Sequence, residues 1–344
     1  MQQLSTFQII VLGIFVALIL IGVGVFAASG GFVSGTDVGK VTIWGTTDID
    51  EMQAVLDTLR PADQAFQDVV YIEKDPATYT AELINAMAAG GGPDLFLVSL
   101  SQINSFSDKI LTIPYSEVSQ GSFINAFIDE GQLFLGPQGA LALPFIVDPL
   151  VMYWNRDLFS SAGIANHPLY WNDFLSLAPK VSSLDGISAV KRSAVALGVW
   201  SNIANAKEIL SNLFLQAGDR IISRDVEGKL VAVLGDRAQG ATTDPASSAL
   251  RFYTEFANPS KTSYSWNRSL PKSNDMFASG DLAVYFGFAS ELRIFAARNP
   301  NLRYSVALIP QIEGNGTRST FARLTGLAIP RTSRNVIGAL EVAK

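Results

Sequence analysis

The chain has 344 residues, 48% hydrophobic and only 16% charged, with a formal net charge of −6. This acidic balance argues against a nucleic-acid partner, which calls for a basic surplus or stripe. With no cysteine and a single histidine, His167, the sequence offers no disulfide, no thiolate metal site, no cysteine nucleophile, no cysteine for lipid attachment and no basis for a His-based triad.

The apolar excess is concentrated near the N-terminus. Residues 7–28 contain one polar side chain, Gln8, and the first charged residue is Asp37. As a helix this run would extend about 33 Å, enough to cross a hydrocarbon core of about 30 Å. Residues 1–28 are therefore expected to be a transmembrane anchor or a secretory signal. The run is longer than the usual signal and no basic residue precedes it, which favours an uncleaved anchor. Small residues around Val25-Phe26-Ala27 would nevertheless suit a signal peptidase. Residues 29–39 are rich in Gly and Ser and read as a flexible linker.

From Lys40 strands and helices alternate, which predicts an α/β fold. Val41 to Trp44 is a strand ending at Gly45. Asp48 caps a helix carrying Met52, Val55, Leu56 and Leu59 at helical spacing, with Glu51 placed for a capping box. Val69 to Ile72 is a second strand. Pro76 opens a helix with Leu83, Ile84 and Met87 on one face, and Gly90-Gly91-Gly92-Pro93 stops it. Asp94 to Val98 is apolar throughout, as buried parallel strands tend to be. Leu141 to Trp154 reads as one or two strands broken at Pro149. A helix starts at Trp171, Val195 to Trp200 is strand-like, and Glu208–Gln216 and Ala246–Ala257 are helical, the latter with Leu250, Tyr253, Thr254 and Ala257 inward. Asp281–Phe288 and Tyr304–Ile309 are strands.

Few segments carry a chemical signature. Gly90-Gly91-Gly92 precedes a strand, whereas a phosphate loop follows one. Asp48 and Asp50 lack the glycine and the terminal Glu of a calcium loop. Asp48 and Asp148 are the carboxylates available for a glycosidase pair, a disfavoured enzyme reading; no catalytic residue, metal or cofactor is expected. In open α/β sheets ligands bind beyond the carboxyl ends of the strands. The loops there hold Thr46, Thr47 and Asp48; Ser99 and Ser101; Asp148; Trp200 and Asn202; and the aromatic stretch Tyr285, Phe286 and Phe288. Hydroxyls, amides, carboxylates and flat rings suit a polyhydroxylated ligand, although the aromatic residues could equally be core. These segments show acids but no Lys or Arg, so a neutral ligand is expected, with a cationic one such as a polyamine as the alternative.

Several segments together resemble the extracellular solute-binding proteins of ABC importers, the maltose-binding-like family 1. They are KVTIWGTTDIDEMQAVLD from Lys40, YTAELINAMAAGGGPDLFLVS from Tyr79, GALALPFIVDPLVMYWNRDLFSSAGI from Gly139, WNDFLSLA from Trp171, MFASGDLAVYFG from Met276 and GLAIPRTSRNVIGALEVAK from Gly326. The resemblance implies a two-lobed periplasmic-binding-protein-like fold closing by a hinge, with crossovers near Pro144–Asp148 and Tyr304–Pro310. It divides the body into 40–144 (first part of lobe 1), 145–304 (lobe 2) and 305–344 (return to lobe 1). The family pattern continues beyond Lys344, so the second lobe is expected to be incomplete. It further implies a sugar or oligosaccharide ligand, an ABC permease as partner and a body on the extracytoplasmic side of the membrane; a membrane-tethered sensor of the same fold is the alternative. Where the family often carries a ligand-stacking Trp, this sequence has Ser290, which leaves Phe286 or Phe288 to substitute.

Overall fold

The computed structural model describes residues 38–185, 189–226, 230–236, 244–314, 316 and 318–344. The expected anchor or signal and all but the last two residues of the linker lie outside the described residues. No helix among the described residues is long and apolar enough to cross a membrane.

The chain forms two compact units. The first comprises the described residues up to Ile146 together with Leu324–Lys344. Its N-terminal part runs β1 (Val41–Gly45), α1 (Ile49–Leu59), β2 (Val69–Glu73), α2 (Tyr79–Ala88), β3 (Leu95–Ser99), α3 (Ile103–Phe106), β4 (Ile113–Pro114), α4 (Gln120–Ala126), β5 (Leu135–Gly136) and β6 (Gly139–Ala140). The strand β7 (Leu143–Asn155) then leads into the second unit, Val147–Arg323. There follow α5 (Arg156–Ser161), α6 (Asp173–Val181), β8 (Ser183–Asp185), β9 (Ala189–Val195), α7 (Ala206–Gln216), β10 (Ile222–Arg224), β11 (Leu230–Ala232), α8 (Pro245–Glu255), α9 (Ser273–Ser279), β12 (Leu282–Phe288), α10 (Leu292–Arg298) and β13 (Tyr304–Leu308). The strand β14 (Ala322–Ala328) returns the chain to the first unit, which ends with α11 (Val336–Ala343).

In the first unit β1 pairs in parallel with both β2 and β3, and β14 joins β3 antiparallel. Local signals set these elements. The Asp48 carboxylate accepts the backbone N–H groups of Asp50 and Glu51 and caps α1, satisfying donors that the first helical turn leaves free. Met52 and Leu56 are buried, whereas Val55 is exposed. Leu83 and Met87 of α2 are buried and Ile84 is exposed, so the buried stripe is narrower than its periodicity suggests. The β3 run Leu95–Val98 is buried on both faces.

In the second unit β7 takes β12 on one edge and β13 on the other, both antiparallel, and β9 joins β12 in parallel with β8 beyond it. Asn155 explains one part of the Asn-Arg-Asp stretch. Its side-chain oxygen accepts from Asp157 and Leu158 to cap α5, and its amide donates to the Gly280 carbonyl. Two aromatic groups fill the core: Tyr153, Phe277, Tyr285, Phe295 and Tyr304, and Trp171, Phe174, Phe252, Phe256 and Phe286.

Three expectations about strands and crossings require correction. Pro149 does not break β7, which runs for 13 residues. The β12 register ends at Leu150 and the β13 register at Val151, so neither ladder needs an N–H from Pro149. The Val195–Trp200 run is not a strand; β9 ends at Val195 and the remainder turns at Gly198 (φ +96°), where a Cβ would press on Ala257. The second crossing falls at Arg323/Leu324 within β14 rather than near Tyr304–Pro310. The segment Tyr304–Leu308 stays in the second unit because it pairs along β7 and sends Tyr304 into the aromatic core.

Candidate functional site

In the first unit the parallel strands place their carboxyl-end loops side by side. After β1, Thr46 and Asp48 are exposed and Thr47 is half-buried. The Thr47 carbonyl accepts the Tyr71 hydroxyl at 2.7 Å, and the Ile49 N–H donates to Glu73 at 3.0 Å. Burial pushes the Tyr71 hydroxyl up to about 12. Ser99, the last residue of β3, and Ser101 just after it share a hydroxyl–hydroxyl bond of 2.8 Å; Ser99 also donates to Gln102, whose amide reaches Thr80. The sequence expectation thus brings together five residues at neighbouring strand ends, with Asp48 partly committed to capping α1. It omitted Lys74, which directly follows β2. The Lys74 ammonium lies 3.9 Å from the centre of the Trp44 ring and 3.0 Å from Glu82.

In the second unit the expected residues separate into two kinds. Tyr285, Phe286 and Phe288 are fully buried, a correction to their expected role as open ligand platforms. They occupy β12, whose seven residues are all buried because β7 and β9 flank it and helices cover its faces. The Tyr285 hydroxyl donates to Glu291 at 2.6 Å, and burial followed by the Glu291 charge raises its pKa. Asn202 is also committed to the fold: its amide donates to the Asn267 and Leu270 carbonyls, and its oxygen accepts the indole N–H of buried Trp266. Asp148 accepts the backbone N–H and the hydroxyl of Ser290 at 3.0 and 2.7 Å. It therefore holds down the turn at Ala289–Glu291.

Trp200 differs from these, being 62% exposed. It lines an open cavity of about 510 Å³ with Val199, Leu210, Leu250, Thr254 and Arg268. Ligand pockets commonly measure about 300–1,000 Å³ and combine apolar walls with a few polar groups.

A further cluster surrounds the end of β12. The Arg323 guanidinium lies over the Phe288 ring, 3.5 Å from its centre. Beside it stand Glu208, at 3.6 Å, and Asn205, whose oxygen is 3.5 Å from the guanidinium. The Asn205 amide donates to Glu291 at 2.9 Å and contacts the Tyr285 hydroxyl at 3.1 Å. Gly287 makes room for this cluster, because a Cβ there would collide with the Tyr285 ring and crowd the Glu291 carboxyl. Sequence reasoning missed Asn205, Glu208, Glu291 and Arg323. Asn205 stands just before a helical run, a position worth testing as a cap; Arg323 carried no local signal. Lys74 and Arg323 lie outside the loops expected to hold no Lys or Arg, and both are basic side chains next to strand ends. Each is matched by an acid, Glu82 and Glu208 respectively.

The pattern of the family described as "Bacterial extracellular solute-binding protein" matches residues 51–344. A binding protein of Brucella abortus is 23% identical over 270 residues, covering 76% of this chain and 60% of that relative. The chain thus spans 60% of the length of the curated relatives it matches. Among solved structures, an ABC transporter solute-binding protein of Thermotoga lettingae bound with α-D-tagatose superposes with a TM-score of 0.61 at 20% identity, covering 89% of this chain and 76% of that one. An ABC substrate-binding protein of Listeria monocytogenes in complex with cycloalternan gives 0.63 at 15% identity, with coverages of 88% and 74%. The maltotriose-binding protein of Thermus thermophilus, bound with maltotriose, gives 0.60 at 15% identity, with coverages of 88% and 76%. With the family pattern running from α1 to the last residue, this chain belongs to the bacterial extracellular solute-binding proteins.

Proposed function

We propose that this protein is the solute-binding component of an ABC importer and captures a neutral sugar or oligosaccharide outside the cytoplasm. The observation that carries this reading is the chemistry of the strand-end loops in each unit. The exposed Thr46 in the first unit and, in the second, an exposed Trp200 on an open cavity offer polar and apolar contacts, while Lys74 and Arg323 of the same units are already matched by Glu82 and Glu208. A ligand with net charge would upset those pairs in a partly desolvated site, whereas hydroxyl groups can both donate and accept there. Capture proceeds by closure of the two units about the crossings in β7 and β14, a hinge-type transition. The sugars named with the solved relatives agree with this ligand class. The chain performs no chemistry and hands its solute to a permease, with residues 7–28 tethering the body to the membrane.

Calorimetry of the full-length chain in detergent against neutral mono- and oligosaccharides tests the reading. Saturable binding that survives added salt is expected, and Trp200→Ala should weaken it at least tenfold, about 1.4 kcal/mol. Binding confined to polyamines and abolished by salt would refute it, because partly exposed charge pairs are screened. Intact-mass measurement on membrane-purified protein tests the tether: a mature N-terminus at Ala28 would overturn it.

A further inference from the structure

We infer that Arg323 selects the solute in the second unit and, with Glu208, holds two adjacent hydroxyl groups of one sugar ring. This rests on the sugar-binding reading above. The guanidinium lies over Phe288, which is completely buried beneath it. Stacking uses the flat face of the group and leaves its N–H edge for hydrogen bonding. That edge is poorly satisfied within the protein. Its nearest acceptors, the Asn205 oxygen at 3.5 Å and a Glu208 oxygen at 3.6 Å, lie at or beyond the useful limit for a hydrogen bond. The Arg323 side chain is 52% exposed. It is an oriented donor fork with donors to spare, next to a carboxylate able to accept.

The surroundings hold the fork in place. Asn205 has φ +59°, the non-glycine residue with positive φ among the described residues. Strained backbone of this kind persists where neighbours over-determine it and clusters at ligand sites. Here the Asn205 amide is tied to Glu291, which also accepts the Tyr285 hydroxyl and the Phe288 N–H. The side-chain oxygen of Asn205 is thereby turned toward Arg323. Asn205 is a positioning residue that acts through the guanidinium.

The paired charges set the ligand class. A free carboxylate would match the fork but approach Glu208, and an ammonium group would approach Arg323. Two adjacent hydroxyls satisfy both, since each can accept from the guanidinium while donating its proton toward the carboxylate. The site therefore favours a neutral vicinal diol over a uronate or an amino sugar.

The test is calorimetry on the full-length chain with tagatose, maltotriose, glucose and glucuronate, using wild type, Arg323→Lys and Glu208→Gln. Arg323→Lys keeps the charge and the stem covering Phe288 but removes the fork. It should weaken binding of the neutral sugars at least tenfold without lowering the ligand-free melting temperature. Glu208→Gln should raise the affinity for glucuronate relative to glucose at least tenfold, a selectivity change that a purely structural role would not produce. If wild type binds neutral sugars and Arg323→Lys stays within twofold, the inference fails while the proposed function stands. Tighter wild-type binding of glucuronate than of glucose would also overturn it. If wild type binds no neutral sugar, both fall.

Discussion

Replacing Asn202 by alanine should destabilise the second unit through three hydrogen bonds and one stranded donor. The amide of Asn202 donates to the Asn267 carbonyl at 2.9 Å and the Leu270 carbonyl at 3.0 Å, and its oxygen accepts from the Trp266 indole at 3.0 Å. The two carbonyls belong to a loop that can turn toward water, so each loss costs about 0.5–1.5 kcal/mol. The indole N–H belongs to a fully buried ring and has no such escape, which adds about 1–3 kcal/mol. Partial relaxation of the loop brings the expected total to about 2–4 kcal/mol, since bonds sharing one side chain do not add independently. Urea unfolding followed by tryptophan fluorescence and by circular dichroism measures it. A loss below about 0.5 kcal/mol, the range of ordinary surface substitutions, together with tenfold weaker sugar binding would refute the argument and make Asn202 a solute contact.

Asp148→Ala should cost about 0.5–2 kcal/mol, the range for losing a helix-type cap, because Asp148 secures the Ser290 N–H and hydroxyl; an unchanged urea midpoint would count against that role. Gly139→Ala should be more damaging, at about 3 kcal/mol, from a backbone at φ +150° and a Cβ driven into the Ile113 carbonyl. Loss of the β4–β6 pairing at Ile113 and Ala140, read by hydrogen exchange, should accompany it, and native protection there would contradict it. Alkali should destabilise the fold. Burial raises the Tyr71 hydroxyl from 10.0 to about 12 and also raises those of Tyr79, Tyr153, Tyr253 and Tyr285. The folded state then holds more protons than the unfolded one above pH 10.0, so these groups contribute fully below that pH and lose their contribution as pH rises toward and past about 12. Tyrosinate absorbance from these residues should grow only with unfolding; growth while circular dichroism stays native would show them accessible.

Local order in this protein was readable from sequence because the forces that set it act over a few residues. The Asp48 cap, the glycine stop after α2 and the uninterrupted apolar run of β3 each depend on neighbours within about four positions or on simple burial. The same reading placed the first-unit loops correctly at strand ends, since parallel strands joined by helices end on a common edge. The family resemblance supplied the two-unit plan. What tertiary structure decided was the use made of each polar or aromatic side chain. Ser290 stands where a stacking Trp was sought, yet it serves Asp148, 142 positions earlier. Phe286 and Phe288 sit on a strand flanked by β7 and β9 and cannot turn outward, while Trp200, in the loop after a strand that ends earlier than its apolar run, can. Arg323 meets Asn205 across 118 positions. Periodicity reports which face of an element is apolar, but sheet order determines which element lies against it. A fork such as Arg323, whose partners arrive from other strands and helices, therefore acquires its chemistry only when the sheet has assembled.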